Sequence, residues 1–244
     1  MKRSTTPLDH TITIQSNLDA LHILIETGRL YIRSLEEHDE KNCFSLFSDP
    51  VVMAKYADGN PYTEEKKKER FERWVKRWKN HDPFSAYAVL DKEFGNFVGI
   101  IGIGQVTRGE ADLFYAMNHS YWGKGYGREM VEAVTQSLIP KLMLRGYTCM
   151  YTSLKKIEAD VAEDNIASLK ILKAVGFKEK GSVYRFNSDR VFFQLEANTL
   201  KSRYNSFFTN RNKSNFKKKC YDVPMKRQTS LLQKWRSVLL VCVF

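Results

Sequence analysis

Tyr121-Trp-Gly-Lys-Gly-Tyr-Gly127 is the stretch on which the reading of this 244-residue chain turns. Three glycines at alternate positions follow a strand-like run, Glu110–Met117, and precede a helical one over 128–137. A glycine-rich turn feeding a helix gathers unpaired backbone N–H groups at the positive end of the helix dipole, which suits a phosphate or pyrophosphate. Gly123, Gly125 and Gly127 permit positive φ and close backbone approach where a Cβ would clash. Alone, such a cluster reads equally well as a plain tight turn, so its meaning depends on what surrounds it.

Working outward, period-two alternation predicts strands over 29–33, 84–91, 96–106, 157–161, 178–186 and 190–197, the last two joined by the turn Asn187-Ser-Asp189. Ser34-Leu-Glu-Glu37 reads as a capping box that opens a helix with Leu35, Cys43, Leu46 and Phe47 inward, stopped by Asp49-Pro50. A second helix starts near Thr63 and runs to His81, with Phe71, Trp74, Val75 and Trp78 on its apolar face. A third, over 167–175, takes Asp164 or Asn165 as cap and Gly176 as its stop. Residues 1–23 read as an irregular N-terminal arm, and 138–154 have no clear period. The expected domain is therefore 24–197, followed by a tail, 198–244, that is rich in Asn, Ser and Lys and expected to be disordered.

The formal charge of +11 resembles a nucleic-acid signature until it is located. Residues 198–244 carry eleven Lys/Arg against one acidic residue, Asp222, while 1–197 hold 28 basic and 27 acidic residues. The expected domain is nearly neutral and the basicity belongs to the tail. In that tail Leu231, Leu232, Trp235, Val238 and Leu239 can share one helical face, and with Lys217–Lys219 they suggest contact with an anionic membrane surface or RNA. Four well-separated cysteines without a CxxC pair argue against a disulfide framework or zinc site. With no apolar run behind Lys2-Arg3 and a final run, 238–244, too short to span a bilayer, a cytoplasmic protein is expected.

Two motifs in order give the glycine turn its meaning. The first is Tyr121–Gly127; the second is Glu163-Asp-Asn165-Ile-Ala-Ser168, continuing to Lys173-Ala-Val-Gly-Phe177. Together with Thr27-Gly-Arg-Leu-Tyr-Ile-Arg33 and Phe97-Val-Gly99, they resemble the GNAT acetyltransferase superfamily, in particular the branch containing the ribosomal-protein N-terminal acetyltransferases. The resemblance covers about 24–197. It implies a mixed α/β fold: a central, mostly antiparallel, twisted sheet of about seven strands with four flanking helices. It also implies acetyl-CoA as co-substrate, no metal, and a monomer or homodimer. The cofactor residues it implies are Ala116 and Met117 at the strand end, Trp122, Gly123, Lys124, Gly125, Tyr126, Gly127 and Arg128 in the loop, and Asn165 and Ser168 along the pantetheine arm. Trp122 departs from the Gln or Arg that usually opens the loop.

Acetyl transfer from a thioester to an amine needs a neutral amine, a stabilised carbonyl oxygen and a proton for the departing thiolate. An α-amine of pKa ~7.8 is roughly one-seventh neutral at pH 7, whereas a lysine at ~10.4 is neutral in about one molecule in 2,500. Asp112 is the expected base, where the branch commonly has Glu; Glu110, two residues earlier on the same strand face, is the reserve, and Glu158 a third candidate. The resemblance implies Ser168 as the acid: some relatives have a tyrosine four residues before Gly176, where this chain has Leu172, and Ser168 is similar to the serine that the branch uses instead. Each has a plainer reading: solvated carboxylates at a hairpin end, a first-turn serine, a capping Asn165. The Trp74 and Trp78 stripe reads first as core and then as a border of the acceptor site, and His119 as an exposed turn residue. A protein N-terminal amine is the favoured acceptor. A polyamine or other small amine is the alternative, and a CoA-binding module without catalysis, holding RNA or membrane through its tail, is the rival.

Overall fold

The computed structural model describes residues 10–202, 204 and 205. Strands β1 (Thr11–Ser16), β2 (Leu21–Glu26), β3 (Leu30–Ser34), β4 (Ala86–Asp91), β5 (Phe97–Thr107), β6 (Glu110–Met117), β7 (Thr148–Cys149), β8 (Thr152–Ser153), β9 (Lys156–Ala162), β10 (Lys178–Arg185) and β11 (Ser188–Glu196) alternate with helices α1 (Glu40–Ser48), α2 (Pro50–Met53), α3 (Glu64–Lys79), α4 (Tyr126–Glu132), α5 (Ile139–Leu144) and α6 (Ile166–Val175). Nine strands form one sheet in the order β1-β2-β3-β4-β5-β6-β9-β11-β10, and β7 and β8 form a separate hairpin. Every pairing is antiparallel except β6 with β9. The mixed α/β architecture agrees with expectation; the sheet is larger than the seven strands anticipated.

Of the two additional strands, β1 lies in the expected N-terminal arm and β2 crosses its boundary with the domain. Thr11-Ile-Thr-Ile-Gln alternates, and its hairpin with β2 turns at 17–20, where the Asn17 side chain accepts from the amides of Asp19 and Ala20. Leu21, Ile23 and Ile25 are fully buried beneath it. The hairpin is fastened from the other side: Lys141 donates to the Ile12 carbonyl at 2.6 Å and Arg145 to that of Ile14 at 3.3 Å. At the far end the domain does not stop at 197, because residues 197–202 continue as helix with Leu200 buried. The remaining tail, with Lys217–Lys219 and the Leu231–Leu239 face, lies outside the described residues.

Other local expectations shift by small steps. The capping box sits two residues late, on Glu36 and Asp39, because Ser34 ends β3 and its hydroxyl accepts from the Ile23 amide and donates to the Leu21 carbonyl. Asp49 ends α1 but also caps the one-turn α2, accepting from the amides of Val51 and Val52. The β10–β11 turn is Phe186-Asn187, both at positive φ, one residue earlier than read.

Segment 138–154 also finds its place. The helix that begins at Tyr126 does not end at Pro140. A π-helical stretch, Ala133–Leu138, lets the Ile139 amide reach back five residues to the Val134 carbonyl, and Pro140 falls in the first turn of α5, where its missing N–H is tolerated. The β7–β8 hairpin then turns on Met150 and Tyr151, at φ 50° and 64°. It docks on the β5–β6 turn, with the Gly109 amide donating to the Cys149 carbonyl at 3.1 Å.

Candidate active site

The sheet carries a built-in opening. β6 and β9 pair over only three positions, Glu110 with Lys156, Ala111 with Ile157 and Asp112 with Glu158, yet β6 runs on to Met117 and β9 to Ala162. Beyond Asp112 the two strands part, leaving the β9-facing amides and carbonyls of β6 without ladder partners. A parallel pair that splays in the middle of a sheet gives up backbone hydrogen bonds that buried chain normally makes. The wedge is therefore where an extended, amide-bearing ligand finds complementary groups.

At the mouth of the wedge lies the glycine turn. Gly123 and Gly125 hold φ 73° and 82°, and Gly125 is the N-cap of α4. Among the described residues none of the six amides from Gly123 to Arg128 donates a hydrogen bond, so all are available to an anion. A Cβ on Gly127 would lie 3.0 Å from Ile171 Cδ1, so the glycine lets α4 pack tightly on α6. Arg29 braces the glycine turn from the β2–β3 connection: it pairs with Glu129 at 2.7 Å, donates to the Lys124 carbonyl at 2.8 Å and covers the Tyr126 ring at 4.3 Å. Glu129, the acidic residue in the first turn of α4, is thereby neutralised and does not oppose a bound anion. Trp122 spans the base of the loop, its indole N–H donating to the Met117 carbonyl at 2.8 Å. Ala116 is buried and Met117 half-buried on the same strand end. These features fit a pyrophosphate.

On the other side of the wedge is a pocket of about 140 Å³, lined among others by Tyr56, Arg70, Asp112, Glu158 and Ser168. Successive β6 residues point to opposite faces. Phe114, and Asp112 with it, faces α3, where Phe114 stacks on Trp74 at 5.6 Å and 13°. Leu113 and Tyr115 face α6 and Ser168. All four border one pocket because the wedge opens the sheet from face to face. The paired strand makes room for this: a Cβ at Gly102 would strike the Phe114 ring, and one at Gly104 would lie 2.1 Å from Asp112 Oδ1.

Burial raises the Asp112 pKa, its own backbone amide and the more distant Arg185 and Arg70 opposing it only in part. Among the described residues its carboxylate has no hydrogen bond to another side chain. Asp160, by contrast, accepts from Arg185 at 2.9 Å and Arg190 at 2.5 Å, and Glu158 accepts from Gln194 at 2.9 Å. Glu110, the reserve base, is not in the pocket. It accepts from the Thr107 hydroxyl at 2.8 Å and pairs with Lys156 at 3.6 Å, and those contacts lower its pKa. The physical reason is the chain end: Glu110 sits at the turn, where solvent and Lys156 take it up.

Asn165 caps α6, accepting from the Ser168 amide at 3.2 Å, while its own side-chain amide donates to the Lys55 carbonyl at 3.3 Å. Ser168 sits next to a residue that sequence reasoning passed over, Tyr115. Its hydroxyl is buried without a formed hydrogen bond, and burial pushes its pKa up to about 12, with the neighbouring Ser168 hydroxyl working against that rise. His119 is exposed and held by Asp49 at 2.9 Å. Trp78 is core, donating to the Ala86 carbonyl. Trp74 is also buried, but through Phe114 it backs the pocket wall.

A family model described as an acetyltransferase (GNAT) domain matches residues 29–178, well over half the chain. The chain belongs to the GNAT acetyltransferase family. It is an N-acetyltransferase, and enzymes of this family draw their acetyl group from acetyl-CoA. It is 27% identical over 157 residues to an uncharacterized N-acetyltransferase, p20, of Bacillus licheniformis, covering 64% of this chain and 82% of that protein. In fold it is similar to the ribosomal-protein-S5-alanine acetyltransferase of Vibrio fischeri, with a TM-score of 0.54, 19% identity, and coverage of 71% of this chain and 96% of that one. The spermidine N-acetyltransferase of Vibrio cholerae, solved with CoA and spermine, gives a TM-score of 0.53 at 20% identity, covering 71% of this chain and 99% of that one. Among the described residues of this acetyltransferase, no three His, Cys, Asp or Glu side chains cluster to hold a metal, and no helix is long and apolar enough to cross a membrane.

Proposed function

We propose that this enzyme binds acetyl-CoA with its pyrophosphate on the 123–128 amides and its pantetheine arm in the β6–β9 wedge, and passes the acetyl group directly to a primary amine held beside Asp112. The observation that carries this reading is the single pocket bordered by Asp112 from the α3 face of the sheet and Ser168 from the α6 face. Donor and acceptor then approach from opposite faces and meet in the gap, so no covalent enzyme intermediate is needed. Acetyl-CoA supplies an acyl group already activated as a thioester.

The chain's own residues do the rest. Asp112, raised in pKa by burial, accepts the proton of the incoming ammonium, directly or through one water. The unpaired amides of β6 beyond Asp112 are the donors nearest to hand for a carbonyl oxygen that gains negative charge. Ser168 gives its proton to the departing sulfur, and Tyr115 stands behind it to replenish that proton. Removing water from this gap strengthens each of these interactions.

A protein N-terminal amine is the favoured acceptor. Its low pKa asks little of a single, modestly placed carboxylate. A polyamine carries several ammonium groups and needs several uncommitted carboxylates. Here Asp160 is paired with two arginines, and Glu158 is held in place by Gln194, which leaves Asp112 as the carboxylate free of side-chain contacts among the described residues. The test is thiol release from acetyl-CoA against N-terminal peptides, spermidine and aminoglycosides. Peptides are expected to be turned over with the highest kcat/KM, and N-terminally blocked peptides not at all. Preferential turnover of spermidine would overturn the acceptor assignment.

A further inference from the structure

Beyond the amine itself, the charges of the pocket describe what else the acceptor carries. Four cations line it: Lys55, Arg70, Arg185 and Arg190. Lys55 is paired with Asp164 at 2.5 Å, and Arg185 and Arg190 with Asp160. Arg70 is different. It projects from the middle of α3 with its guanidinium over the rings of Tyr62 and Trp74, at 5.3 and 5.2 Å. Among the described residues its hydrogen bonding is limited to one contact, Nη1 donating to the Tyr62 hydroxyl at 3.3 Å. Among the described residues no carboxylate meets it, and its Nε is buried without a partner. A guanidinium has five donors in a fixed fork, and one left so incompletely satisfied in a pocket wall is unusual unless a ligand completes it.

Among the described residues three pocket charges lack an ion-pair partner: Glu158, which accepts from the neutral Gln194 amide, the carboxylate of Asp112, which meets no side chain, and the guanidinium of Arg70. The last two are near enough for the charge of Arg70 to act on the Asp112 carboxyl. We infer that the pocket is built for an acceptor that is itself dipolar, its amine beside Asp112 and an anionic group, a carboxylate by the fork geometry, on Arg70. The aromatic rings of Tyr62 and Trp74 hold the guanidinium in place by cation–π contact, and its fork of donors suits a carboxylate. This rests on the function proposed above and narrows it. The carboxylate comes either from an acidic side chain near the first residue of a polypeptide or from the α-carboxylate of a free amino acid.

The test pairs each carboxylate with its own amide in thiol-release assays at saturating acetyl-CoA: peptides beginning with Asp or Glu against Asn or Gln, and free amino acids against their amides. The carboxylate member is expected to have kcat/KM about 10- to 100-fold higher, carried mainly by KM. Preference within the peptides assigns the side-chain source; preference only among free amino acids assigns the α-carboxylate. In Arg70→Gln the ratio is expected to fall towards one. In Lys68→Gln, which removes an exposed cation from the same helix, it is expected to persist. A wild-type enzyme that turns over amides as well as carboxylates overturns this inference while leaving the proposed function standing, and that comparison needs no variant to fold. Failure to release thiol with any amine overturns both.

Discussion

The turn from Gly123 to Arg128 offers its amides from six consecutive residues, whereas the pocket across the sheet assembles Tyr56, Arg70, Asp112, Glu158 and Arg190 from five separate segments. The first site is made of backbone and needs only glycines and a helix start. The second is made of side chains whose meeting depends on the whole sheet. A backbone site tolerates drift in its side chains but not in its glycines, and a side-chain site shows the opposite sensitivity. Three substitutions test that contrast.

The largest effect is expected from Asp112→Asn. Loss of a positioned base typically costs 10²- to 10⁴-fold, and here it should fall on kcat at saturating acetyl-CoA. Burial places the Asp112 pKa above the ordinary carboxylate value, so the acidic limb of wild-type activity should lie above that value and disappear in the variant. The stability sign is opposite. A carboxylate with a raised folded pKa weakens the fold when ionised, a cost relieved as pH falls through that pKa. Asp112→Asn should therefore keep or raise Tm at neutral pH while losing activity, and a variant that loses both would mean Asp112 is structural.

Gly125→Val comes next. A β-branched residue at φ 82° strains the turn, and the amides it carries lose their alignment. The expected result is a KM for acetyl-CoA raised about 10- to 100-fold, with the ratio between acceptors unchanged, measured by initial rates across acceptor pairs. A shift in acceptor preference would break the separation of the two sites.

Tyr115→Phe should be the mildest. Deleting a buried hydroxyl without a formed hydrogen bond costs little stability. If Tyr115 backs Ser168, kcat should fall a few-fold, with the loss concentrated at high pH, where the thiolate is hardest to protonate. A flat ratio of variant to wild type across pH would assign Tyr115 to packing alone.

The same contrast explains what the sequence revealed. The glycine turn, Asn165 as a cap and Gly176 as a stop were legible because each is settled within a few residues. Asp112 was singled out by the resemblance, at the strand position where the branch commonly has Glu. Arg70 was not: it sits in Glu64-Glu-Lys-Lys-Lys-Glu-Arg70, a charged run that reads as a solvated helix face until Tyr62, Trp74 and Phe114 close around it. Tyr115 was hidden for a related reason, since only the splay of β6 from β9 brings it beside Ser168. The Thr11–Ser16 alternation, in contrast, was in plain view. Its threonines made it look polar, and its partner contacts lie far along the chain.

That distance has a consequence for how the molecule is made. The strand β1 is held by Lys141 and Arg145, at sequence separations of 129 and 131 residues, and His10 just before it by Ser137, at 127. A ribosome adding about 5–20 residues per second leaves the first strand waiting on the order of ten seconds for the helix that fastens it. Until then an alternating Thr-Ile segment is exposed at a sheet edge, the kind of surface on which nascent chains pair with one another. Among the described strands, the one nearest the N-terminus is among the last to be secured.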